Sequence, residues 1–206
     1  MDIKTRQECK KYFLRRMQNV REELREPLAE RAIDNMCEYY NLLHSTKEEG
    51  VANLVAAIHA STFTTSRSSS HHQYPSGTLE HCLGVYRLMS KKAALLRGQG
   101  QVIKESDLIL VGLLHDVCNG KSTKWNYSRH GSRSRHIVQR YLPNVSGEVL
   151  EAIECHRHRT VRTRDGLIKS KENNILWDLV CQCDHSDAAT CGRGLARISD
   201  TEVRPL

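Results

Sequence analysis

A chain of 206 residues with 39% hydrophobic and 27% charged residues has the length and composition of one globular domain. No run approaches the roughly 18 uninterrupted apolar residues that a membrane-spanning helix requires, so a membrane span is excluded. The formal net charge of +7 favours anionic partners such as nucleotides or nucleic acids, although a solvated basic surface explains the excess equally well.

The N-terminus and the cysteines together predict a cytoplasmic protein. Residues 1–16 carry charges of both signs and lack the apolar core of a signal peptide. The eight cysteines are then expected to be free thiols in a reducing compartment. A structural zinc site is the alternative, prompted by Cys181, Cys183 and Cys191, but the chain has no Cys-x-x-Cys pair and does not match the usual zinc spacing.

Three helices are predicted in the N-terminal part of the chain. A capping box precedes a first helix over residues 5–25, and Pro27 is expected to end this helix and to open a second one that runs to about residue 44. An apolar run predicts a third helix over residues 51–60. No motif occurs within residues 1–47, which are therefore predicted to be N-terminal helices that pack on the core.

A segment rich in serine and threonine separates these helices from the next one. Residues 61–77 contain His71, His72 and Tyr74 and show no periodicity, and a loop of this length in a compact domain is either disordered or functional. The segment runs directly into a helix predicted over residues 79–96, where apolar residues recur at helical spacing. We therefore expect the loop to be functional.

Helices are also predicted in the rest of the chain. Residues 108–117 are apolar on nearly every side, which predicts a helix at the centre of the molecule that the Asn119–Gly120 pair ends. Three further helices are predicted over residues 132–141, 147–157 and 173–189. No segment alternates convincingly as a strand. The predicted fold class is therefore all-α, a single-domain helical bundle.

The central helix ends in an imidazole and a carboxylate, His115 and Asp116. A buried carboxylate is costly when it is unpaired, and the negative end of the helix dipole increases that cost. A divalent cation bound by both side chains would compensate the charge. The alternative is a salt bridge to an arginine.

Two other helices place polar groups on apolar faces. Asp184 and Asp187 lie on or beside the apolar stripe of the last helix, and His81 shares a face with apolar residues of its own helix. Each of these side chains alone is compatible with a hydrogen-bonded core residue. Together, His81, His115, Asp116 and Asp184 form a ligand set that suits Mn, Fe, Co, Ni, Zn or Mg.

Three segments resemble the HD superfamily of metal-dependent phosphohydrolases. The segment HHQYPSGTLEH at residues 71–81 resembles the HHxYPGGLLEH motif of bacterial members, and LLHDVC at residues 113–118 resembles their LLHDVC or LLHDIG motif. Residues 180–188, with both aspartates of the last helix, resemble the closing ADxxDA element. Each motif alone is weak, but the three in this order on successive helices are specific.

The resemblance implies a hydrolase domain over residues 48–192, followed by a C-terminal tail over residues 193–206. It implies one or two divalent ions, with these metal ligands: His81, His115, Asp116 and Asp184. His130 and His156 match positions that hold a second ion in two-metal members. The alternative is that these two histidines bind the substrate phosphate or support the ligands.

The chain departs from the family after the His-Asp pair. Members often have a lysine three residues beyond the metal-binding aspartate, whereas this chain has Asn119 there and Lys121 two residues later. Lys121 and Arg133 are our candidates for stabilising charge on the transferring phosphoryl group, alongside Asp116 in the catalytic set. Asp187 would orient a ligand or contact a ribose.

The expected substrate is a nucleotide or a related small phosphorylated molecule. Single-stranded RNA or DNA is the alternative, because residues 71–81 also resemble the HD part of a bacterial 3′–5′ exoribonuclease. An aromatic fraction of 5% counts against a base-stacking platform. The sequence is also compatible with a di-iron oxygenase and with a non-catalytic sensor or binding module that retains the fold.

Overall fold

The computed structural model describes residues 3–18, 20, 22–62, 76–120, 130–158, 160–162, 168–171 and 174–199. Within these ranges the chain forms eight α-helices, one short 3-10 helix and one pair of strands. The helices are α1 (Ile3–Arg16), α2 (Glu22–Ser45), α3 (Val51–Thr62), α4 (Gly77–Gly98), α5 (Glu105–Leu114), α6 (His130–Tyr141), α7 (Gly147–Cys155) and α8 (Ile175–Ser199). The 3-10 helix is Val117–Gly120, and the strands are β1 (Thr160–Arg162) and β2 (Ile168–Ser170).

The predicted all-α class is confirmed, with one local difference. The sequence predicts a loop after α7, whereas the described residues there form a two-stranded antiparallel hairpin in which Thr160 lies opposite Ser170. Strands of three residues are too short for an alternating pattern to be recognised in the sequence. Among the helices that the structure describes, none combines the length and the apolar character needed to cross a membrane.

The prediction that Pro27 separates the first two helices is wrong. Helix α2 begins at Glu22, so Pro27 is its sixth residue. The turn before α2 is held instead by Arg25, whose guanidinium donates to the carbonyl oxygens of Val20 at 2.8 Å and Gln18 at 2.9 Å. A proline this close to the start of a helix removes one backbone hydrogen bond, and the buried face of α2 outweighs that loss.

Helix α5 lies at the centre of the molecule, as its apolar sequence predicts. Residues 108–114 are all buried, and α2, α4, α7 and α8 pack against the helix. The helix ends at Leu114, earlier than predicted, and the chain turns before the 3-10 helix begins. His115 and Asp116 therefore lie in a turn beyond the last helical residue rather than within the helix.

Helix α8 differs from the prediction at both ends. Its N-terminus is capped by Asn174, whose side-chain oxygen accepts hydrogen bonds from the amides of Leu176 at 3.1 Å and Trp177 at 3.2 Å. The side-chain amide of Asn174 donates to the carbonyl of Glu148 at 2.9 Å, which ties the cap to α7. The helix continues to Ser199, past residue 192, after which the sequence predicts a tail.

Helices α6 and α7 approach so closely that Gly131 cannot carry a side chain. A β-carbon at Gly131 would clash with the backbone carbonyl of Glu154. Only a shift of the backbone can relieve this clash, because no side-chain atom is involved. We expect Gly131→Ala to lower the free energy of unfolding by about 1–3 kcal/mol, the usual cost of overpacking. Chemical denaturation measures this loss. Gly147→Ala is the control, because a β-carbon at Gly147 would have nothing within 4 Å, and an equal loss in both variants would contradict the prediction.

Candidate metal centre

Five parts of the chain bring polar side chains to one buried region. They are His81 from α4, His115 and Asp116 from the turn after α5, His130 from the first residue of α6, His156 from the end of α7, and Asp184 with Asp187 from α8. The four imidazoles and Asp187 are buried, and the other two carboxylates are largely buried. The residues that the sequence predicts as ligands are thus brought together.

His81 is held between two carboxylates of α8. Its Nδ1 lies 2.8 Å from Oδ2 of Asp187, and its Nε2 lies 3.1 Å from Oδ1 of Asp184. Asp184 and Asp187 can reach the two sides of one ring because residues three apart on a helix point in similar directions. The Asp187 carboxylate accepts from Nδ1 and fixes the ring so that Nε2 faces the centre of the cluster.

The imidazole of His115 brings its Nε2 atom close to Nε2 of His81. Its Nδ1 lies 3.0 Å from the carbonyl oxygen of Gly112, which can only accept a hydrogen bond, so Nδ1 carries the proton. The Nε2 atom of neutral His115 therefore holds a lone pair. That atom lies 3.3 Å from Nε2 of His81.

A second pair of histidines adjoins the first. Nδ1 of His156 donates to the carbonyl of Ile153 at 2.7 Å, so its Nε2 also holds a lone pair when the ring is neutral. Nε2 of His130 lies 2.8 Å from Nε2 of His156 and 3.4 Å from Oδ1 of Asp116. The rings of His115 and His156 are 5.0 Å apart between centroids, so both pairs belong to one cluster.

The donor set fits a divalent cation. Ligand atoms of His81, His115 and Asp116 lie within 4.8 Å of one another, and so do those of Asp116, His130 and His156. Lone pairs of several imidazoles directed at one point repel each other unless a proton or a cation lies between them. Backbone and carboxylate acceptors on the far nitrogens are the usual support of metal-binding histidines. The two groups share Asp116.

The charges of the cluster shift the pKa values of its members in opposite directions. Burial alone would lower the pKa of His81, but the contacts with Asp184 and Asp187 raise that pKa to about 10. Burial lowers the pKa of His156 to about 3, and the proximity of the His115 ring adds to the shift. Burial opposes ionisation of Asp184, yet the hydrogen bond from His81 holds its pKa well below the usual range. At neutral pH the cluster thus contains a protonated His81 beside an ionised Asp184.

The other residues that the sequence predicts for the site are not among the clustered side chains that the structure describes. Arg133 is exposed on the first turn of α6; burial raises the pKa of the Cys118 thiol to about 11, and the charge of Arg133 partly opposes that rise. Lys121 lies outside the described residues. Neither group of candidate ligands among the described residues contains a cysteine, and Cys181 instead donates its thiol proton to the carbonyl of His156 at 2.7 Å.

Gly84 has a role in the site that the sequence motifs did not reveal. A β-carbon at this position would overlap the carboxylate of Asp187, so only glycine leaves room for Asp187 to reach His81. The signal was present in the sequence, because a glycine inside a long helix is unfavourable unless something packs closely against it. The partner could not be named, because it lies on another helix.

A half-open cavity of about 260 Å³ adjoins the second histidine pair. Its described lining comprises His130, Gly131, Ser132, Glu154, Cys155, Arg157, His158 and Thr160. Glu154 is engaged there, since it accepts from Ser132 at 2.9 Å and pairs with Arg135. The guanidinium of Arg157 also belongs to this lining. Because His130 belongs to both the cavity and the cluster, a molecule in the cavity would contact the centre.

An all-helical domain with clustered histidines and aspartates is the architecture of metal-dependent hydrolases of the HD type. The HD-domain family model matches residues 78–189, more than half of the chain, so the chain belongs to this family. No curated protein and no solved structure matches the chain. HD domains bind divalent metals and are generally metal-dependent phosphohydrolases.

Proposed function

We propose that the chain is a metal-dependent phosphohydrolase that cleaves a phosphate ester of a nucleotide or a related small phosphorylated molecule. The convergence of imidazole Nε2 atoms and carboxylates on one buried point is the observation that carries the proposal. The ligands would be His81, His115, Asp116 and Asp184. The donor types suit Mn, Fe, Co, Ni or Zn, and Mg is also compatible.

His130 and His156 would serve a second ion or the substrate phosphate. Their Nε2 atoms are 2.8 Å apart, and both lie close to Oδ1 of Asp116, at 3.4 Å and 3.6 Å. Because Nδ1 of His156 already carries a proton, the proton shared by the two Nε2 atoms belongs to His130. His130 would donate that proton to an oxygen of the substrate, or would bind an ion through Nε2 with its proton on Nδ1 instead.

Side chains of the site would hold the ion and stabilise the transferring phosphoryl group. A divalent metal at this centre supplies a Lewis acid and lowers the pKa of water. Asp187 holds the ring of His81 through Nδ1, and Asp184, which lies beside Nε2 of that ring, would bind the same ion. Arg133 and Lys121 would stabilise charge on the transferring phosphoryl group. Asp116 would hold the ion or ions in place.

The cavity beside His130 supports a small substrate. Its volume of about 260 Å³ is near the lower end of the range for small-molecule sites, about 300–1,000 Å³. Its described lining contains no phenyl, phenol or indole ring, which disfavours stacking of successive bases. Arg157 at this cavity would attract an anionic group. Cleavage of single-stranded RNA or DNA is the second candidate function, favoured by the net positive charge.

The first experiment measures metal content and phosphate release on the purified protein. The metal is quantified by elemental analysis, and hydrolysis is assayed with Mn, Co, Ni, Zn and Mg before and after chelation. The substrates are nucleoside monophosphates, cyclic nucleotides, sugar phosphates and short single strands. We expect metal-dependent hydrolysis of a small ester that chelation abolishes. Hydrolysis of single strands alone would favour the nuclease, and absence of hydrolysis with every metal would overturn the proposed activity.

Metal binding is expected to release a proton from His81. The metal-free ring is protonated at neutral pH, since its pKa is raised to about 10, and a ligating Nε2 must be deprotonated. His156 is already neutral over the same pH range, because its pKa is lowered to about 3, so it releases no proton when a metal binds. Affinity should therefore rise about tenfold per pH unit between pH 7 and 9. Calorimetry in buffers of different ionisation enthalpy measures the release, and pH-independent binding would contradict the prediction.

A further inference from the structure

Helix α2 lies outside the segment that matches the HD family, yet it contacts two of the helices that position candidate ligands. The family match begins at residue 78, whereas α2 ends at Ser45. The helix packs against α4, which carries His81, and against α5, which leads into His115 and Asp116. Each of these two contacts contains a buried polar interaction.

The first interaction holds Glu80, the residue directly before His81. The carboxylate of Glu80 is buried, which is costly unless it is paired. It pairs with the half-exposed guanidinium of Arg31 and accepts from the side-chain amide of Asn35 at 3.4 Å. Both partners belong to α2.

Adjacent helical residues point about 100° apart, so Glu80 and His81 face different neighbours. Glu80 faces α2, and His81 faces the two aspartates of α8. The first turns of α4 are thereby held on two sides. A rotation of α4 that moved the His81 ring away from the centre would also have to break the contact of Glu80 with Arg31.

The second interaction holds the end of α5. The hydroxyl of Tyr39 donates to the carbonyl oxygen of Leu113 at 2.7 Å, and both residues are fully buried. Leu113 lies in the last turn of α5, where the backbone carbonyl groups have no N–H partner within the helix. An unsatisfied buried carbonyl is costly, so the hydroxyl stabilises the point at which the chain leaves the helix and enters the turn of His115 and Asp116.

We infer that α2 positions the metal centre from outside the family domain, through Arg31 acting on Glu80 and Tyr39 acting on the Leu113 carbonyl. The inference rests on the proposed function, because it concerns the geometry of the same ligands. Among the described residues, the polar contacts of these two side chains are with Glu80 and with the Leu113 carbonyl rather than with the proposed ligands. Arg31 and Tyr39 are therefore positioning residues, and their removal should impair metal binding beyond any loss of stability.

The test measures Co²⁺ binding and the absorption spectrum of the Co²⁺-loaded protein for Arg31→Met and Tyr39→Phe. Each change removes a polar contact and keeps most of the side-chain volume. We expect metal binding to weaken about tenfold in each variant, the lower end of the effect of supporting residues, with a changed spectrum. Arg31→Lys should restore the affinity, since a single ammonium can pair with Glu80.

Two control variants break contacts away from the centre, one between α4 and α2 and one between α4 and α5. Arg87→Met removes the exposed ion pair of Arg87 with Glu38, which also joins α4 to α2. Tyr86→Phe removes a hydroxyl that donates to Glu105 at 2.9 Å, at the far end of α5. Thermal unfolding of all variants without metal reports their stability. The two control variants should bind Co²⁺ as tightly as the unchanged protein does, even if their thermal stability is lower.

The outcomes separate the two proposals. If the unchanged protein binds Co²⁺ and the α2 variants bind it equally well with the same spectrum, the positioning inference is wrong and the metal centre stands. If affinity falls in step with thermal stability in the control variants as well, α2 has only a structural role. If the unchanged protein binds no metal ion of any kind, the proposed function and this inference both fail.

Discussion

Asp116→Asn is expected to abolish metal binding and phosphate release. The carboxylate is shared by the two groups of candidate ligands, and its Oδ1 lies 3.4 Å from His130 and 3.6 Å from His156. Asparagine keeps the shape of the side chain but removes the negative charge that would balance a divalent cation. The loss of metal affinity should exceed the roughly 10–100-fold effect of changing a supporting residue.

The measurement is metal titration of the chelated protein, with phosphate release on the best substrate. Asp107→Asn is the matched control, because Asp107 lies in the first turn of α5, at the other end of that helix from Asp116, and burial raises the pKa of its carboxyl. The control should bind and hydrolyse like the unchanged protein. Normal metal affinity in Asp116→Asn would show that the ion, if one binds, lies elsewhere.

Asp187→Asn is expected to weaken metal binding about 10–100-fold, the usual effect of changing a residue that supports a metal-binding histidine. Asp187 accepts from Nδ1 of His81 at 2.8 Å and contributes to the raised pKa of that ring. The asparagine side chain can still accept this hydrogen bond, but it no longer increases the basicity of the ring. The Nε2 atom becomes a weaker ligand as a result.

A second readout distinguishes support of His81 from a general loss of structure. Without the charge of Asp187, the pKa of His81 in the metal-free protein should fall, so fewer protons are released at pH 9 and the pH dependence of metal binding flattens. Asp178→Asn on the same helix is the control, since Asp178 pairs with Lys171 away from the cluster. An unchanged proton count together with unchanged affinity would contradict the role of Asp187.

The sequence predicted which residues are the candidate ligands more accurately than it predicted the backbone structure around them. The order of the His, His-Asp and Asp motifs identified the residues that the structure brings together, and the family match agrees with the resemblance. The ends of helices were less predictable. The apolar pattern predicts residues 115 and 116 within a helix, whereas α5 stops at Leu114 and releases both side chains into a turn.

The errors at helix ends have a common physical cause. The turn before α2 depends on the guanidinium of Arg25, which donates to carbonyl groups that no helical pattern marks. The N-terminus of α8 depends on Asn174, which both caps the helix and contacts α7. Such side-chain contacts outweigh the preferences of single residues such as Pro27.

The sequence by itself determined the helical class, the central position of α5 and the chain order of the histidines and aspartates, because helical periodicity and motif spacing are local properties. Only the tertiary structure decided which polar groups meet. His81 and Asp187 are 106 residues apart, and Tyr39 and Leu113 are 74 residues apart. Contacts over such separations arise from the packing of whole helices against each other, and no local preference encodes them.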